Sequence, residues 1–80
     1  MIEIVDAKYV GDYKIELKFN DGVSGEIDLE NELWGPVFEP LKDKEFFSDF
    51  SLSPLSGTIV WENEADFAPE FLYDLVKIKV

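Results

Sequence analysis

The stretch YKIELKFNDGVSGEIDL, residues 13–29, decides the fold. Apolar and polar residues alternate along both of its halves, as they do in strands with one face against a core and the other in water. The alternation predicts a β-hairpin. Its core-facing residues are Tyr13, Ile15, Leu17 and Phe19 in the first strand and Val23, Gly25, Ile27 and Leu29 in the second.

The turn at residues 20–22, Asn-Asp-Gly, fixes the register of this hairpin. A two-residue loop would set Phe19 against Ser24 and turn one strand inside out, whereas a three-residue loop sets Phe19 against Val23. Asn-Asp-Gly suits a type I turn closed by a glycine in the left-handed region. The expected pairs are Phe19–Val23, Leu17–Gly25, Ile15–Ile27 and Tyr13–Leu29, with Lys14–Asp28 on the wet face.

A first strand, about Ile2 to Tyr9, precedes the hairpin and completes an antiparallel meander. If Val5, Ala7 and Tyr9 face the core, then Ile2 and Ile4 point to the other side of the sheet. Two isoleucines on a polar face need cover, which a chain terminus or a partner could provide.

The middle of the chain is expected to be mostly irregular. Residues 30–33 can form one helical turn, but the glycine and prolines of WGPVFEP, residues 34–40, exclude a regular element. Asp43 can then cap a short helix that carries Phe46 and Phe47.

A second hairpin is predicted from apolar residues on either side of a loop. Phe50 and Leu52 alternate with serines before the loop, and Ile59 and Trp61 alternate with smaller residues after it. A four-residue loop, residues 54–57, would pair Leu52 with Ile59 and Phe50 with Trp61 on one face.

The stretch WENEADFAPEFLY, residues 61–73, can be interpreted as an active site, a binding surface or a helix start. Pro69 suits the first turn of a helix, and Asp66 can accept hydrogen bonds from its free N–H groups as the N-cap. An apolar stripe then predicts a C-terminal helix packed on the sheet. The stripe contains Phe67, Phe71, Leu72, Leu75 and Val76.

Together these elements predict a single small α+β domain over residues 1–80. Its parts are a three-stranded antiparallel meander, a short helix, a second hairpin and a C-terminal helix packed on the sheet.

The charge of the chain excludes some classes of binding partner. Eighteen Asp and Glu face seven Lys and no Arg, for a net charge of −11. Phosphate backbones and anionic lipids prefer the opposite charge, so we expect neither direct nucleic-acid binding nor membrane binding. An acidic surface fits a basic protein partner, although solubility alone could also explain it.

Cysteine and histidine are absent from the sequence. Their absence excludes disulfides, ordinary zinc sites, thiol nucleophiles and histidine bases. No apolar run is long enough to span a membrane, and Met1-Ile2-Glu3 does not begin a signal peptide. A cytoplasmic location is therefore expected.

The carboxylates Glu62, Glu64 and Asp66 are the candidates for metal binding or acid–base catalysis. Their spacing is like the start of a calcium-binding loop that begins at Glu62. Such a loop needs glycine at its sixth position, which is absent here, and glutamate at its twelfth, which here is Tyr73. Paired catalytic carboxylates need a cleft, which an eighty-residue domain seldom has. We expect no enzyme activity, no catalytic residues, no metal and no cofactor.

An interaction surface is the remaining interpretation of the aromatic residues. Small aromatic-rich domains often leave apolar surface exposed, which a homodimer or a complex can cover. Trp34 and Tyr73 carry polar atoms suited to a half-buried place at an interface, although both could instead lie at the rim of the core. The candidate interaction surface comprises Trp34, Trp61, Glu62, Glu64, Asp66 and Tyr73.

Several of these residues also match a family pattern. A strand that ends in Phe and Asp-Gly matches Phe19, Asp21 and Gly22, and a later Asp-Leu matches Asp28-Leu29. The pattern continues with Leu41 and Phe46 around a short helix and closes with Trp-x-Asn-Gly-x-Asp-x-Ala-Pro-Glu-x-Leu-Tyr. The closing matches are Trp61, Asn63, Asp66, Ala68, Pro69, Glu70, Leu72 and Tyr73.

In these residues the chain resembles a family of short bacterial proteins called domain of unknown function 2442. One departure is Glu64, which stands where the pattern has glycine. Because Glu disfavours positive φ, we expect Asn63 to adopt that conformation instead.

The resemblance implies a small α+β fold and no established catalytic residues. Some members of the family carry a C-terminal helix-turn-helix domain, and others resemble antitoxins encoded beside a small toxin-like protein. The leading hypothesis is a non-enzymatic protein-interaction module, antitoxin-like, with a basic protein partner. The alternative is a small-ligand or regulatory sensor domain of the kind that is fused to DNA-binding domains in relatives.

Overall fold

A three-stranded antiparallel sheet forms the first half of the domain in the computed structural model, which describes residues 1–78. A two-stranded hairpin and a C-terminal helix form the second half. Two single turns of 3₁₀ helix, Glu30–Glu32 and Glu39–Lys42, lie between the halves. The regular elements are β1 (Ile4–Gly11), β2 (Lys14–Phe19), β3 (Ser24–Asp28), α1 (Lys44–Phe47), β4 (Ser51–Ser53), β5 (Thr58–Val60) and α2 (Pro69–Ile78).

The hairpin of β2 and β3 has the predicted register. Ile15 pairs with Ile27, and Leu17 with Gly25. At the turn the Phe19 N–H donates to the Val23 carbonyl at 2.8 Å. Gly22 has a φ of 91°, in the left-handed region that closes a three-residue loop of this kind.

The prediction for the core face of β1 is wrong at its start. Ile4 is buried opposite Phe19, whereas Val5 is exposed. The register shifts between Ile4 and Asp6, so that Val5 is the extra residue of a β-bulge. The bulge turns Ile4 into the core, and Ile2 packs against the same core. Neither isoleucine therefore needs cover from a partner.

The second hairpin is confirmed, with the four-residue loop at residues 54–57. Leu52 pairs with Ile59 as predicted. Phe50 lies beyond the paired residues, but its ring meets that of Trp61 edge to face at a centroid distance of 6.0 Å. The hairpin joins the main sheet through the Ile4 N–H, which donates to the Gly57 carbonyl at 2.8 Å.

The helices begin at different kinds of residue. Asp43 caps α1 as predicted, since its Oδ1 accepts from the Glu45 N–H at 3.1 Å. Pro69 lies in the first turn of α2, as predicted, and is its first residue. The prediction that Asp66 is the N-cap of α2 is wrong, because the Ala68 carbonyl accepts the first intrahelical bond, from the Leu72 N–H. Asp66 instead forms an isolated β-bridge with Val60.

The core lies between the three-stranded sheet, α1 and α2. Along α2 the most buried side chains are Leu72 and Val76. Gly25 of β3 lets this helix come close, because a Cβ at that position would lie 2.9 Å from Val76 Cγ1. The core residues are Ile4, Ile15, Leu17, Phe19, Ile27, Leu29, Leu33, Leu41, Phe47, Ile59, Trp61, Ala65, Phe67, Leu72 and Val76.

Candidate protein-interaction site

An open groove of about 390 Å³ lies between segment 32–38 and residues 66–71 at the start of α2. Most of its accessible lining is apolar, and carboxylates stand at its sides. We call it the aromatic groove. It is lined by Glu32, Trp34, Phe38, Asp66, Phe67, Ala68 and Phe71.

Stacked phenylalanines form the inner part of the aromatic groove. The Phe38 and Phe67 rings are stacked at a centroid distance of 4.7 Å and an interplanar angle of 21°. The Phe67 and Phe71 rings are stacked at 5.7 Å and 16°. Phe67 joins this row to the core, since its ring also meets Trp61 edge to face at 6.0 Å. The row is therefore held in place by the folded domain.

The outer part of the aromatic groove is exposed to solvent. Trp34 has 72% of its surface accessible, and Phe71 has 36%. Val37, next to the groove-lining Phe38, is 53% accessible. Large apolar side chains exposed side by side are typical of a surface that binds another molecule.

Backbone hydrogen bonds hold the wall that carries Trp34. Gly35 has a φ of 89°, and its carbonyl accepts from the N–H groups of Phe38 at 3.2 Å and Glu39 at 3.0 Å. Asn63 ties this turn to the turn before α2, because its Nδ2 donates to the Val37 carbonyl at 3.0 Å. These bonds fix the backbone path of the segment that carries Trp34.

The turn that contains Asn63 also corrects a prediction. Glu64 itself adopts the positive φ, at 69°, and Asn63 does not. The Asn63 side chain is engaged instead, with its Oδ1 accepting from the Ala65 N–H at 3.2 Å. Asn63 thus contributes two side-chain hydrogen bonds, and the cost of the left-handed conformation falls on Glu64.

The electrostatics of the aromatic groove are set by Glu32 and Asp66. Two ion pairs occur within residues 1–78, Lys42–Glu39 and Lys44–Asp12, each at 3.1 Å, and neither includes a groove carboxylate. The two cation–π contacts in the same part of the chain place Lys44 over Tyr13 and Lys77 over Tyr73, outside the groove. The groove therefore carries negative charge that these lysines do not neutralise.

The structure brings only part of the predicted interaction surface together. Trp34 and Asp66 line the aromatic groove. Glu62 and Glu64 are exposed in the neighbouring turn but do not line it. Trp61 does not belong to the surface, because it is 3% accessible and its Nε1–H donates to the Phe47 carbonyl at 2.8 Å.

Tyr73 is half-buried on another part of α2, where it secures the turn between β2 and β3. Its hydroxyl donates to Asp21 Oδ2 at 2.6 Å, and its ring meets Phe19 edge to face. This hydrogen bond lowers the pKa of the Asp21 carboxyl below its ordinary value, and the backbone N–H of Val23 acts in the same direction. The same bond raises the pKa of Tyr73.

Four residues of the aromatic groove were not predicted from the sequence to belong to a site: Glu32, Phe38, Phe67 and Phe71. Phe67 and Phe71 were assigned to the core stripe of α2, and their four-residue spacing fits that assignment equally well. The groove exists because the irregular segment 34–38 lies beside them. The periodicity of the sequence does not predict where segment 34–38 lies.

A second depression, of about 450 Å³, lies beside α1. Asp43, Glu45, Ser48 and Asp49 line it together with a single aromatic residue, Phe46. Within residues 1–78 no group of three or more carboxylates is arranged to hold a metal ion. In the same residues no helix is both long enough and apolar enough to cross a bilayer.

Comparisons with known proteins agree with this fold. The model of a family described as protein of unknown function (DUF2442) matches residues 4–77. No curated protein matches the sequence. Among solved structures, the chain is similar to a protein of Nitrosomonas europaea described as a "putative DNA binding protein", with a TM-score of 0.83 and 20% identity. The match covers 99% of this chain but 51% of that protein, so this chain spans about half of its length.

Proposed function

We propose that this chain, which belongs to the DUF2442 family, is a non-enzymatic protein-interaction module. Its partner is a small, basic, toxin-like protein that binds at the aromatic groove. The chain itself is the antitoxin-like member of the pair. The observation that carries the proposal is the exposed aromatic groove with carboxylates at its sides, in a chain of net charge −11.

The composition of the aromatic groove favours a protein partner. Tyr, Trp and Phe are enriched where protein surfaces meet, and Trp is prominent among the residues that dominate binding energy. Trp34 and Phe71 supply two such side chains already exposed in the unbound domain. The net charge would speed the encounter with a basic partner and would oppose pairing of two copies through the same acidic groove.

The residues of the aromatic groove also support a role without catalysis. Among its lining residues the only ionisable side chains are Glu32 and Asp66, and none of the others is a nucleophile. Direct binding of nucleic acid is opposed by the charge of −11, since phosphates require basic residues. The DNA binding in the name of the Nitrosomonas europaea protein refers to a chain about twice as long.

The experiment that tests this function is a salt-dependent capture with matched variants. The tagged chain is incubated with lysate of the source organism at low and high salt, and bound proteins are identified by mass spectrometry. We expect one stoichiometric basic protein, released at high salt because screening weakens charge attraction. Trp34→Ala should abolish its capture, whereas Leu55→Ala should not, because Leu55 is 99% accessible at the tip of the second hairpin. Capture that survives Trp34→Ala, or no capture at either salt, would contradict the proposal.

A regulatory sensor domain is the second candidate function. The observation in its favour is the volume of the aromatic groove, about 390 Å³, which falls in the range of small-molecule sites. The likeness to half of a longer protein is compatible with a domain that works joined to another. A metabolite that binds only the folded domain would raise its melting temperature, and Trp34→Ala should remove that increase.

A further inference from the structure

We infer that the aromatic groove holds the guanidinium of an arginine supplied by the basic partner. This inference rests on the proposed function and names the chemistry of its anchor. The observations are an accessible indole, an accessible phenyl ring and two carboxylates that line the same cavity.

The rings of the aromatic groove suit a planar cation. Indole is the aromatic side chain that attracts cations best, and Trp34 is the most accessible of the groove aromatics. Phe71 adds a second accessible ring, held by its stack on Phe67. A guanidinium is planar and weakly hydrated, so it stacks on such rings while keeping its N–H groups at the edges for hydrogen bonds.

The carboxylates complete the match to arginine. Glu32 lines the aromatic groove on the wall that carries Trp34, and Asp66 lines it on the wall that carries Phe67, so each wall contributes an acidic residue. Arginine can pair with a carboxylate through two parallel hydrogen bonds and stack at the same time, whereas the ammonium of lysine is a compact, strongly hydrated point charge. Arginine is therefore the better occupant.

The chain does not supply this cation itself. Its sequence contains no arginine. Lys42, Lys44 and Lys77 contact other groups, as described above. A second copy of the chain would bring the same acidic groove and again no arginine, so the occupant belongs to a different protein.

The test uses the full chain labelled with ¹⁵N and two peptide probes, acetyl-Leu-Arg-Leu-amide and the same peptide with citrulline in place of arginine. Citrulline keeps the shape and removes the charge. We expect the arginine probe to shift the indole N–H signal of Trp34 and the backbone amide signals of residues 66–68, 70 and 71. The indole signal of Trp61, which is buried, should not move. The citrulline probe should bind about tenfold more weakly.

Two variants with the same change of charge locate the effect. Asp66→Asn should weaken binding of the arginine probe about threefold, because it removes one groove carboxylate. Asp49→Asn removes an exposed carboxylate beside α1 and should leave the affinity unchanged. Equal binding of the two probes, equal effects of the two variants, or no shift of the Trp34 signal at about 10 mM arginine probe would overturn the inference.

The outcomes separate this inference from the proposed function. A basic protein captured through Trp34, combined with no preference for the arginine probe, would leave the interaction module standing and reject the arginine anchor. A clear arginine preference without any captured protein would support the groove chemistry and reject the proposed partner.

Discussion

Glu64 occupies a backbone conformation that suits glycine better than a residue with a side chain. Its φ is 69°, its N–H donates to the Trp61 carbonyl at 2.9 Å, and the Trp61 N–H donates to the Ala65 carbonyl at 2.9 Å. The same two bonds close the turn between β2 and β3, where Gly22 has the position of Glu64 and also a positive φ. From the sequence, Asn63 was predicted to adopt the positive φ, because Glu disfavours it. That prediction is wrong because Glu64 holds the residue position that closes this turn, whereas Asn63 lies one residue earlier.

Replacing Glu64 by glycine should therefore stabilise the domain. We expect Glu64→Gly to raise the free energy of unfolding by about 0.5–1 kcal/mol, because the relief of left-handed strain exceeds the extra flexibility of glycine in the unfolded chain. Urea denaturation measures the change. Glu62→Gly, in the same turn but without positive φ, should lower the free energy of unfolding by about 0.5 kcal/mol. Destabilisation by both variants would show that Glu64 is unstrained.

Asp21 and Tyr73 should make the stability depend on pH. The hydrogen bond from Tyr73 lowers the pKa of Asp21 in the folded state, so its stabilisation is complete above the unfolded value, about pH 4, and is lost as the pH falls through the folded value. The raised pKa of Tyr73 acts at the other end, with stabilisation lost as the pH rises through its folded value.

Tyr73→Phe should therefore flatten the acid part of the curve of unfolding free energy against pH, as measured by urea melts. Tyr9→Phe is the matched control, because the Tyr9 hydroxyl donates to a backbone carbonyl, that of Asp12, at 3.0 Å. An acid slope that is the same in Tyr73→Phe and the wild type would show that the bond to Asp21 is not maintained in solution.

At the scale of elements, α2 begins later than the sequence analysis expected. Ala68 precedes the first helical residue, Pro69, and Asp66 is exposed and paired through its backbone. We expect Asp66→Ala to change the free energy of unfolding by less than about 0.5 kcal/mol, as for an ordinary surface substitution. Ala68→Ser should raise it by about 0.5–1 kcal/mol by supplying an N-cap hydroxyl. A loss of about 1 kcal/mol or more in Asp66→Ala, read from thermal or urea melts, would show that Asp66 caps the helix after all.

The contact between β3 and α2 depends on the absence of a side chain at Gly25. Gly25→Ala should lower the free energy of unfolding by about 1–3 kcal/mol, because the new methyl group would crowd Val76 Cγ1 at 2.9 Å. In a Val76→Ala background, Gly25→Ala should lower the free energy of unfolding by less than it does in the wild type. A double-mutant cycle should therefore give a coupling free energy of about 1 kcal/mol. Additive effects would show that the loss of stability in Gly25→Ala does not come from contact with Val76.

The elements differ in how well the sequence predicts them. The β2–β3 hairpin was predictable to the register because two alternating patterns and the Asn-Asp-Gly turn allow only one pairing that buries both apolar faces. The bulge at Val5 was not predictable. An extra residue in a strand exchanges the buried and exposed faces, but the alternation of apolar and polar residues does not show where this happens. The fold class and the order of elements followed from the longer patterns.

The candidate site was predictable only in part, for a related reason. Trp34 and Asp66 were selected because exposed aromatic and acidic residues stand out in a sequence, and both line the aromatic groove. Trp61 stood out equally, yet its indole is buried and bonded to the Phe47 carbonyl. Which tryptophan is exposed depends on the path of segment 34–38, which is set by the Gly35 turn and the Asn63 contact.

At the scale of the whole molecule, a net charge of −11 and one aromatic groove are expected to act together. The net charge attracts a basic protein over a range that becomes shorter as the salt concentration rises. The aromatic groove then provides the short-range contacts that hold the bound protein. Salt should therefore affect association more than dissociation, whereas substitutions in the groove should affect dissociation more.

The most direct measurement is a map of amide chemical shifts of the labelled chain as the captured basic protein is added. We expect the changes to centre on the non-proline residues of 32–38 and 66–71, to include the Trp34 indole signal, and to shrink at high salt. Changes centred on the β1–β3 sheet or beside α1, with the aromatic groove unaffected, would contradict it.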